Sequence, residues 1–322
     1  MDETADRAAP AMPRRVAVIG TGVIGASWAA LFLARGLEVD AWDPAPGAAE
    51  ALRAAVAAHW PVLEAIGLAP GASPDRLRLW PSPEEAVAAA GFVQENGPER
   101  LELKRDLFRR LDAAAPAATV LASSSSTLMA STFQDACARH PERVVLGHPF
   151  NPPHLIPLVE VAGGRLTAEA AVTGAMAFYA GLGKRPIRLR KEVLGHVANR
   201  LQAALWQEAF HLVREGVASV ADVDAAIAHG PGLRWALLGP FLNLHLSGGA
   251  GGIAHLLDHL GPPTEAMWRD LGQVEITPGL RGAVVRGVDD ELATVGPEAM
   301  LRQRDDILAR LLALKARAPD LP

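Results

Sequence analysis

The sequence predicts an α/β protein in two parts: a mostly parallel sheet covered by helices, then an all-helical segment. Three observations carry this. A short apolar run passes through a glycine turn into an apolar helix near the start of the chain. Strand-like and helix-like segments then alternate to about residue 190, the pattern of a parallel sheet covered on both faces. From about Gly195 the β-branched runs vanish and apolar residues recur at the helical period.

The first element is the most specific. Val16, Ala17, Val18 and Ile19 lead into Gly20-Thr21-Gly22-Val23-Ile24-Gly25, and an apolar segment from Ala26 to Arg35 is stopped by Gly36. In a strand–turn–helix context, G-x-G-x-x-G binds a dinucleotide. Gly20 allows the tight turn, Gly22 admits the pyrophosphate, and Gly25 lets helix and strand pack closely. The backbone N–H groups and the positive end of the helix hold the anion. Leu37 to Trp42 reads as a second strand ending in Asp43, eighteen residues after Gly25. A carboxylate there suits the ribose hydroxyls and repels a 2′-phosphate, so NAD is favoured over NADP. The fold class is therefore an N-terminal Rossmann-type, mostly parallel sheet with an all-α C-terminal domain.

The remaining strand candidates are 77–80, 92–95, 120–123, 144–147, 158–161 and 187–189. Ser82-Pro83-Glu84-Glu85 reads as a helix start, with Ser as N-cap, Pro at N1 and Glu at N3. In the second part Val197, Leu201, Leu205, Ala209 and Leu212 mark a long helix. Further helices are expected over 219–229, 256–260, 280–288 and 297–314. The expected domains are a loose leader over 1–13, an NAD-binding domain over 14–193, and a helical domain over 194–322.

The bulk composition excludes several classes. Half of the 322 residues are hydrophobic, and 31 basic against 36 acidic residues give a net charge of −5. Nothing in that balance points to nucleic acid or an anionic membrane. No apolar run approaches the roughly 20 residues of a membrane helix. Cys137 is the only cysteine, so no disulfide framework or cysteine zinc site is expected, and a cytoplasmic location fits. His255 and His259 share one helix face but lack the H-E-x-x-H pattern, so no metal is expected.

Four polar positions can support alcohol oxidation. Ser126 lies in the serine run 123–127, after a strand and at the sheet edge where α/β proteins bind ligands. His148 ends one strand candidate and Glu160 lies inside the next. Asn199 stands near the start of the first long helix, where the two domains are expected to meet. Removing hydride from a secondary alcohol needs a base for the hydroxyl proton, and His suits this. A carboxylate behind the ring fixes its tautomer, and neutral polar groups hold the substrate oxygen in line.

The motifs GTGVIG, AWDPAP, ENGPERLELK, SSSST, GHPFNPPHLIPLVEV, GHVANRL and GPGLRWALLGPF span nearly the whole chain. Through them the sequence resembles the NAD-dependent 3-hydroxyacyl-CoA dehydrogenases, and within them the branch holding L-carnitine dehydrogenase and L-gulonate 3-dehydrogenase (lambda-crystallin). The resemblance implies that His148 is the catalytic base, Glu160 its orienting acid, and Ser126 and Asn199 the substrate-binding pair. It implies NAD contacts from Asp43, Glu99, Lys104 and Asn151 besides the glycine loop, and a homodimer formed through the helical domain. One departure is Leu194-Gly195-His196, where the family often has Pro-Gly-Phe in the wall of the substrate pocket; His196 could add a polar contact there, but a solvent-facing histidine is expected.

The resemblance ranks L-carnitine first as substrate, ahead of 3-hydroxybutyryl-CoA and L-gulonate. AWDPAPGAAEALR and HWPVLEAIGLAPG carry the likeness to carnitine dehydrogenases. The reading from another class is a non-catalytic, crystallin-like NAD-binding protein. Lys184, Arg185, Arg188, Arg190 and Lys191 could serve the phosphates of a thioester, but a solvated strand face is expected. Trp206, Trp235, Phe241 and Trp268 could cage a trimethylammonium group; ordinary core packing is expected of each.

Overall fold

The computed structural model describes residues 12–293 and 295–321; the leader expected over 1–13 lies largely outside them. The chain divides into two compact units between Arg200 and Leu201. The first holds eight strands: β1 Arg15–Ile19, β2 Glu38–Trp42, β3 Leu77–Leu79, β4 Phe92–Glu95, β5 Val120–Ser123, β6 Val144–Pro149, β7 Leu158–Gly163 and β8 Arg185–Arg188. Their order is β3-β2-β1-β4-β5-β6-β7-β8. Every pair is parallel except β6 and β7, which run antiparallel. The first six strands thus follow the doubly wound dinucleotide-binding order, with the chain reversing direction across the sheet at β1 and β4.

The helices of this unit are α1 Val23–Ala34, α2 Ala48–Ile66, α3 Pro83–Val87, α4 Leu101–Ala114 and α5 Glu169–Gly181. One apolar layer packs Trp28, Phe32, Leu52, Val56, Phe178 and Tyr179 against one sheet face. The other packs Phe108, Leu111, Phe133 and Leu107 against the opposite face. Helix α1 is buried continuously from Gly25 to Ala34, which explains its almost wholly apolar sequence. Ser82 caps α3 as its sequence requires, accepting the Glu85 N–H at 3.3 Å.

The second unit is helical. Helix α6, Ala198–Arg214, leads into it, followed by α7 Val220–His229, α8 Pro231–Trp235, α9 Pro240–Ser247, α10 Gly252–Asp270, α11 Pro278–Leu292 and α12 Pro297–Ala316. Ser219 and Asp222 form a capping box at the start of α7. Helix α10 is much longer than the expected 256–260 segment because it continues through Pro262 and Pro263. Each proline removes one backbone donor, and the helix continues past both. Among the described residues no helix is long and apolar enough to cross a membrane.

Two expectations are corrected here. Lys184 does not lie on a solvated face: it is buried, its Nζ donates to the carbonyls of Pro153 and Ile156, and burial, aided by Arg35, lowers its pKa to about 7. It fastens the segment joining β6 to β7, while Arg188 pairs with Glu169 on the surface. The aromatic residues of the helical unit do not form its core either. Trp206, Trp235, Phe241 and Trp268 are 53%, 47%, 75% and 66% exposed.

Candidate active site

The glycine turn is built as its spacing requires. Gly20 has φ +85°, a conformation open to glycine, and its N–H donates to the Trp42 carbonyl at 2.8 Å. A Cβ on Gly25 would lie 1.9 Å from the Gly20 carbonyl oxygen, whereas one on Gly22 would meet nothing within 4 Å. Gly25 is therefore needed for packing, and Gly22 keeps open the space in front of the α1 N-terminus. That N-terminus has no side-chain cap, so its donors are available to an anion. Asp43, at the end of β2, accepts from Thr21 N at 2.7 Å and Ala45 N at 2.9 Å, which places its carboxylate beside the turn. These residues fit a dinucleotide: a phosphate cradle that a Cβ would invade, with an acid at the ribose position.

Two alanine substitutions separate these roles. Gly25→Ala is expected to lower the melting temperature clearly, because overpacking of this kind typically costs ~1–3 kcal/mol. Gly22→Ala is expected to leave stability within about 1 kcal/mol, since Ala is only a poorer N-cap, while weakening NAD binding at least about tenfold. Thermal denaturation and NAD titration of both variants check this.

The antiparallel turn between β6 and β7 creates the central pair. His148 and Glu160, twelve residues apart in sequence, are direct cross-strand partners. His148 Nδ1–H donates to Glu160 Oε2 at 2.9 Å. Glu160 Oε1 accepts from the backbone N–H groups of Val197 and Ala198 at 2.8 and 3.0 Å. Glu160 therefore joins the imidazole to the start of α6. Burial pulls the Glu160 pKa upward, but the bonds from His148 and from the two amides outweigh it and hold the carboxyl below its ordinary range. With Nδ1 donating to a carboxylate, the neutral imidazole carries its lone pair on Nε2 and can take a proton there.

The serine run follows β5. Ser126 N–H and Oγ both donate to Glu99 Oε1, the hydroxyl at 2.9 Å, and Ser125 Oγ donates to Glu99 Oε2 at 2.7 Å. Ser126 thus offers oxygen lone pairs to an arriving hydroxyl. Asn199 lies in the first turn of α6 and is half-buried, and Asn151 is exposed just after β6. The geometry brings His148, Glu160 and the amides beside Asn199 together directly. It joins Ser126 to Glu99, both expected as ligand contacts.

Lys104 differs from its expected place among the NAD contacts. It is fully buried, and Nζ donates to both oxygens of Glu95 at 2.8 and 2.7 Å. Ser123 Oγ also donates to Glu95, at 2.6 Å. A buried ammonium needs such a partner; the pair fixes the carboxyl ends of β4 and β5, and Nζ is engaged there.

Sequence reasoning overlooked a second buried network. Tyr179 Oη donates to Gln94 Oε1 at 2.6 Å, and Gln94 Nε2 donates to Ser124 Oγ at 2.8 Å and to the Gly147 carbonyl at 3.1 Å. Ser124 Oγ donates to Asn96 Oδ1 at 2.7 Å, and Asn96 N–H donates to the Ile19 carbonyl at 2.7 Å. These bonds run from the glycine turn through the serine run to the backbone that precedes His148. A Cβ on Gly147 would lie 2.0 Å from Tyr179 Oη, so that position has no room for a side chain.

His196 is the clearest correction. It is 1% exposed rather than solvent-facing, with φ +55° after Gly195, and its ring centroid lies 4.9 Å from that of His148.

A dinucleotide cradle on a doubly wound sheet, with a buried His–Glu pair, defines a nicotinamide-dependent oxidoreductase acting on a CH–OH group. Comparisons narrow the class. The family model for the 3-hydroxyacyl-CoA dehydrogenase NAD-binding domain matches residues 15–193, and that for the C-terminal domain of the same enzymes matches residues 195–274. The chain belongs to the 3-hydroxyacyl-CoA dehydrogenase family, and its cofactor is NAD. The L-carnitine dehydrogenase of Streptomyces griseus subsp. griseus is 54% identical over 315 residues, covering 97% of this chain and 94% of the relative. That of Pseudomonas putida is 48% identical, covering 93% and 94%. Among solved structures, an NAD-dependent 5-formyl-3-hydroxy-2-methylpyridine 4-carboxylic acid 5-dehydrogenase matches with a TM-score of 0.81 at 29% identity, covering 95% of this chain and 99% of that one. The 3-hydroxybutyryl-CoA dehydrogenase of Escherichia coli matches with a TM-score of 0.65 at 27% identity, covering 86% and 57%.

Proposed function

We propose that this dehydrogenase interconverts L-carnitine and 3-dehydrocarnitine. The observation that carries the catalytic part is the cross-strand bond from His148 to Glu160. His148 Nε2 takes the hydroxyl proton during oxidation and returns it during ketone reduction. Glu160 holds the ring in that tautomer and stabilises the imidazolium. Ser126 and Asn199 position the substrate oxygen. Bound NAD supplies the hydride acceptor. The turn 20–25 with Asp43 holds that cofactor, Glu99 and Asn151 flank it, and Lys104 acts by holding Glu95.

The substrate assignment rests on the carnitine dehydrogenases that match nearly end to end. Of the five basic residues considered for a thioester's phosphates, Lys184 is buried and engaged with two carbonyls, so it does not serve them. NADH formation across L-carnitine, L-gulonate and 3-hydroxybutyryl-CoA tests the reading. L-carnitine should give the highest kcat/KM. Turnover of only the thioester would overturn the substrate, and NAD binding without any turnover would favour a crystallin-like protein. Asp43→Ala should narrow the preference for NAD over NADP in the same assay; an unchanged ratio would remove Asp43 from the ribose site.

The helical unit is completed by a second copy of the chain. Among its described residues only Gly248, Gly252, Gly272 and Leu280 are buried, while Leu201, Trp206, Phe241, Leu246 and Trp268 are exposed. A domain of this length normally buries well over half its surface, so such an apolar excess calls for a partner. Sedimentation equilibrium is expected to give a dimer mass; a 33.9 kDa monomer at micromolar concentration would contradict this. The lone cysteine, buried and unbridged, agrees with a cytoplasmic enzyme.

A further inference from the structure

One buried amide joins three segments of the candidate site. Gln94 lies in β4 and has no exposed surface. Its strand partner in β5 is Ala122, and that of Ala122 in β6 is Val145. Ala122 is small, and the Gln94 side chain reaches past β5 to β6. There Nε2 donates to the Gly147 carbonyl at 3.1 Å, in the peptide that leads into His148. Nε2 also donates to Ser124 Oγ in the serine run at 2.8 Å. Ser124 Oγ in turn donates to Asn96 Oδ1, and Asn96 Nδ2 donates to the Gly20 carbonyl of the glycine turn at 3.4 Å. The orientation of the Gln94 amide is forced. Gly147 offers only an acceptor, so the NH₂ group faces it, and Oε1 accepts from Tyr179 Oη at 2.6 Å. Burial raises the Tyr179 pKa, so that hydroxyl stays protonated and donating. Phe92, on the same strand face, fills its share of this layer without any polar partner. Gln94 instead carries an amide whose hydrogens and oxygen are all engaged, and a fully bonded buried network rigidifies what it joins.

We propose that Gln94 is a positioning residue for alcohol oxidation: it holds the peptide entering His148 in register with the glycine turn that holds the cofactor. This rests on the reading of His148 as the base. In the reaction the hydroxyl proton goes to His148 Nε2, the carbon's hydride goes to NAD, and the C=O double bond forms. Base and hydride acceptor must therefore address one carbon–oxygen unit together, and small misplacements of such groups are costly. Gln94 touches neither reactant and acts through His148. Glu160 fixes the tautomer of the ring, and Gln94 fixes the backbone that carries it.

Gln94→Met tests this, because Met keeps the length and packing of the side chain and removes every bond it makes. The rate of NADH formation in a single turnover is measured with whichever of L-carnitine, L-gulonate and 3-hydroxybutyryl-CoA wild type oxidises best. The variant should lose at least about tenfold in that rate, with KM for the substrate and NAD affinity within about threefold. The same substitution in the His148→Gln background should change the residual rate by less than about twofold, since the group it positions is gone. Thr119→Val is the control for stability alone: it breaks a buried bond to the Ala90 carbonyl far along the sheet from His148. It should lower the melting temperature and keep the rate within about twofold. An equal loss from Gln94→Met in both backgrounds, no loss in either, or a matching loss in Thr119→Val would overturn the proposal and leave Gln94 a structural residue.

Should Gln94→Met fail to fold, Ser124→Ala decides. It deletes one half-buried hydroxyl and cuts the link from Gln94 to Asn96 while sparing the bond to Gly147. It should lower the single-turnover rate at least about threefold, and by less than about twofold in the His148→Gln background; an unchanged rate in a variant that still binds NAD would overturn the proposal. Full turnover in His148→Gln alone would instead overturn the reading of the base on which the proposal rests.

Discussion

Replacing His148 with Gln lowers kcat by at least about a hundredfold and leaves NAD affinity within about twofold. The ring is 6% exposed and bonded through Nδ1, so Nε2 is its reactive nitrogen. Gln has similar reach and polarity but cannot accept a proton at neutral pH. The substitution removes the base while leaving the glycine turn and Asp43 untouched. The loss should therefore appear in the chemical step, with KM for the substrate little changed. Steady-state kinetics and an NAD titration of the purified variant check this. Turnover close to wild type would remove His148 from the mechanism.

Glu160→Gln should lower kcat by about 10²–10⁴-fold with the fold retained. The direction follows from hydrogen-bond polarity. The two amides of Val197 and Ala198 require an acceptor, so the Gln carbonyl oxygen faces them. Its NH₂ group then faces His148 Nδ1, which must present a lone pair, and the ring proton moves to Nε2. That is the wrong tautomer for taking a hydroxyl proton.

A pH dependence of stability follows from the same carboxylate. Its folded-state pKa lies below the ordinary value. The stability it contributes is thus fully present above the unfolded pKa of about 4.3 and is lost as pH falls through the lower folded value. The melting-temperature advantage of wild type over Glu160→Gln should therefore be full near neutrality and shrink below about pH 4. An advantage that grows on acidification would contradict the assigned bonds.

The strand–glycine–helix entry and the βα alternation were legible because each depends on neighbours in sequence; the relation of His148 to Glu160 came through the family resemblance, and their contact rests on the antiparallel return from β6 to β7. The network of Gln94, Asn96, Ser124 and Tyr179 was not. It joins β4, β5 and α5 through sheet order, and no local pattern reports which strands become neighbours. Lys184 and His196 were misread for a related reason: charge and polarity suggest solvent, whereas tertiary packing supplied carbonyl partners for both. In the helical unit periodicity marked apolar faces such as that of α6, but periodicity does not say what covers them. Trp206 and Trp268 accordingly proved exposed rather than packed in a core.

A crystal structure of the ternary complex with NAD and L-carnitine tests the central claim most directly, through the distance from His148 Nε2 to the substrate's 3-oxygen. That separation should fall within about 2.6–3.2 Å, with the Glu160 bond to Nδ1 intact. A 3-oxygen well outside that range with another side chain in its place, or a His148 ring turned from Glu160, would contradict it.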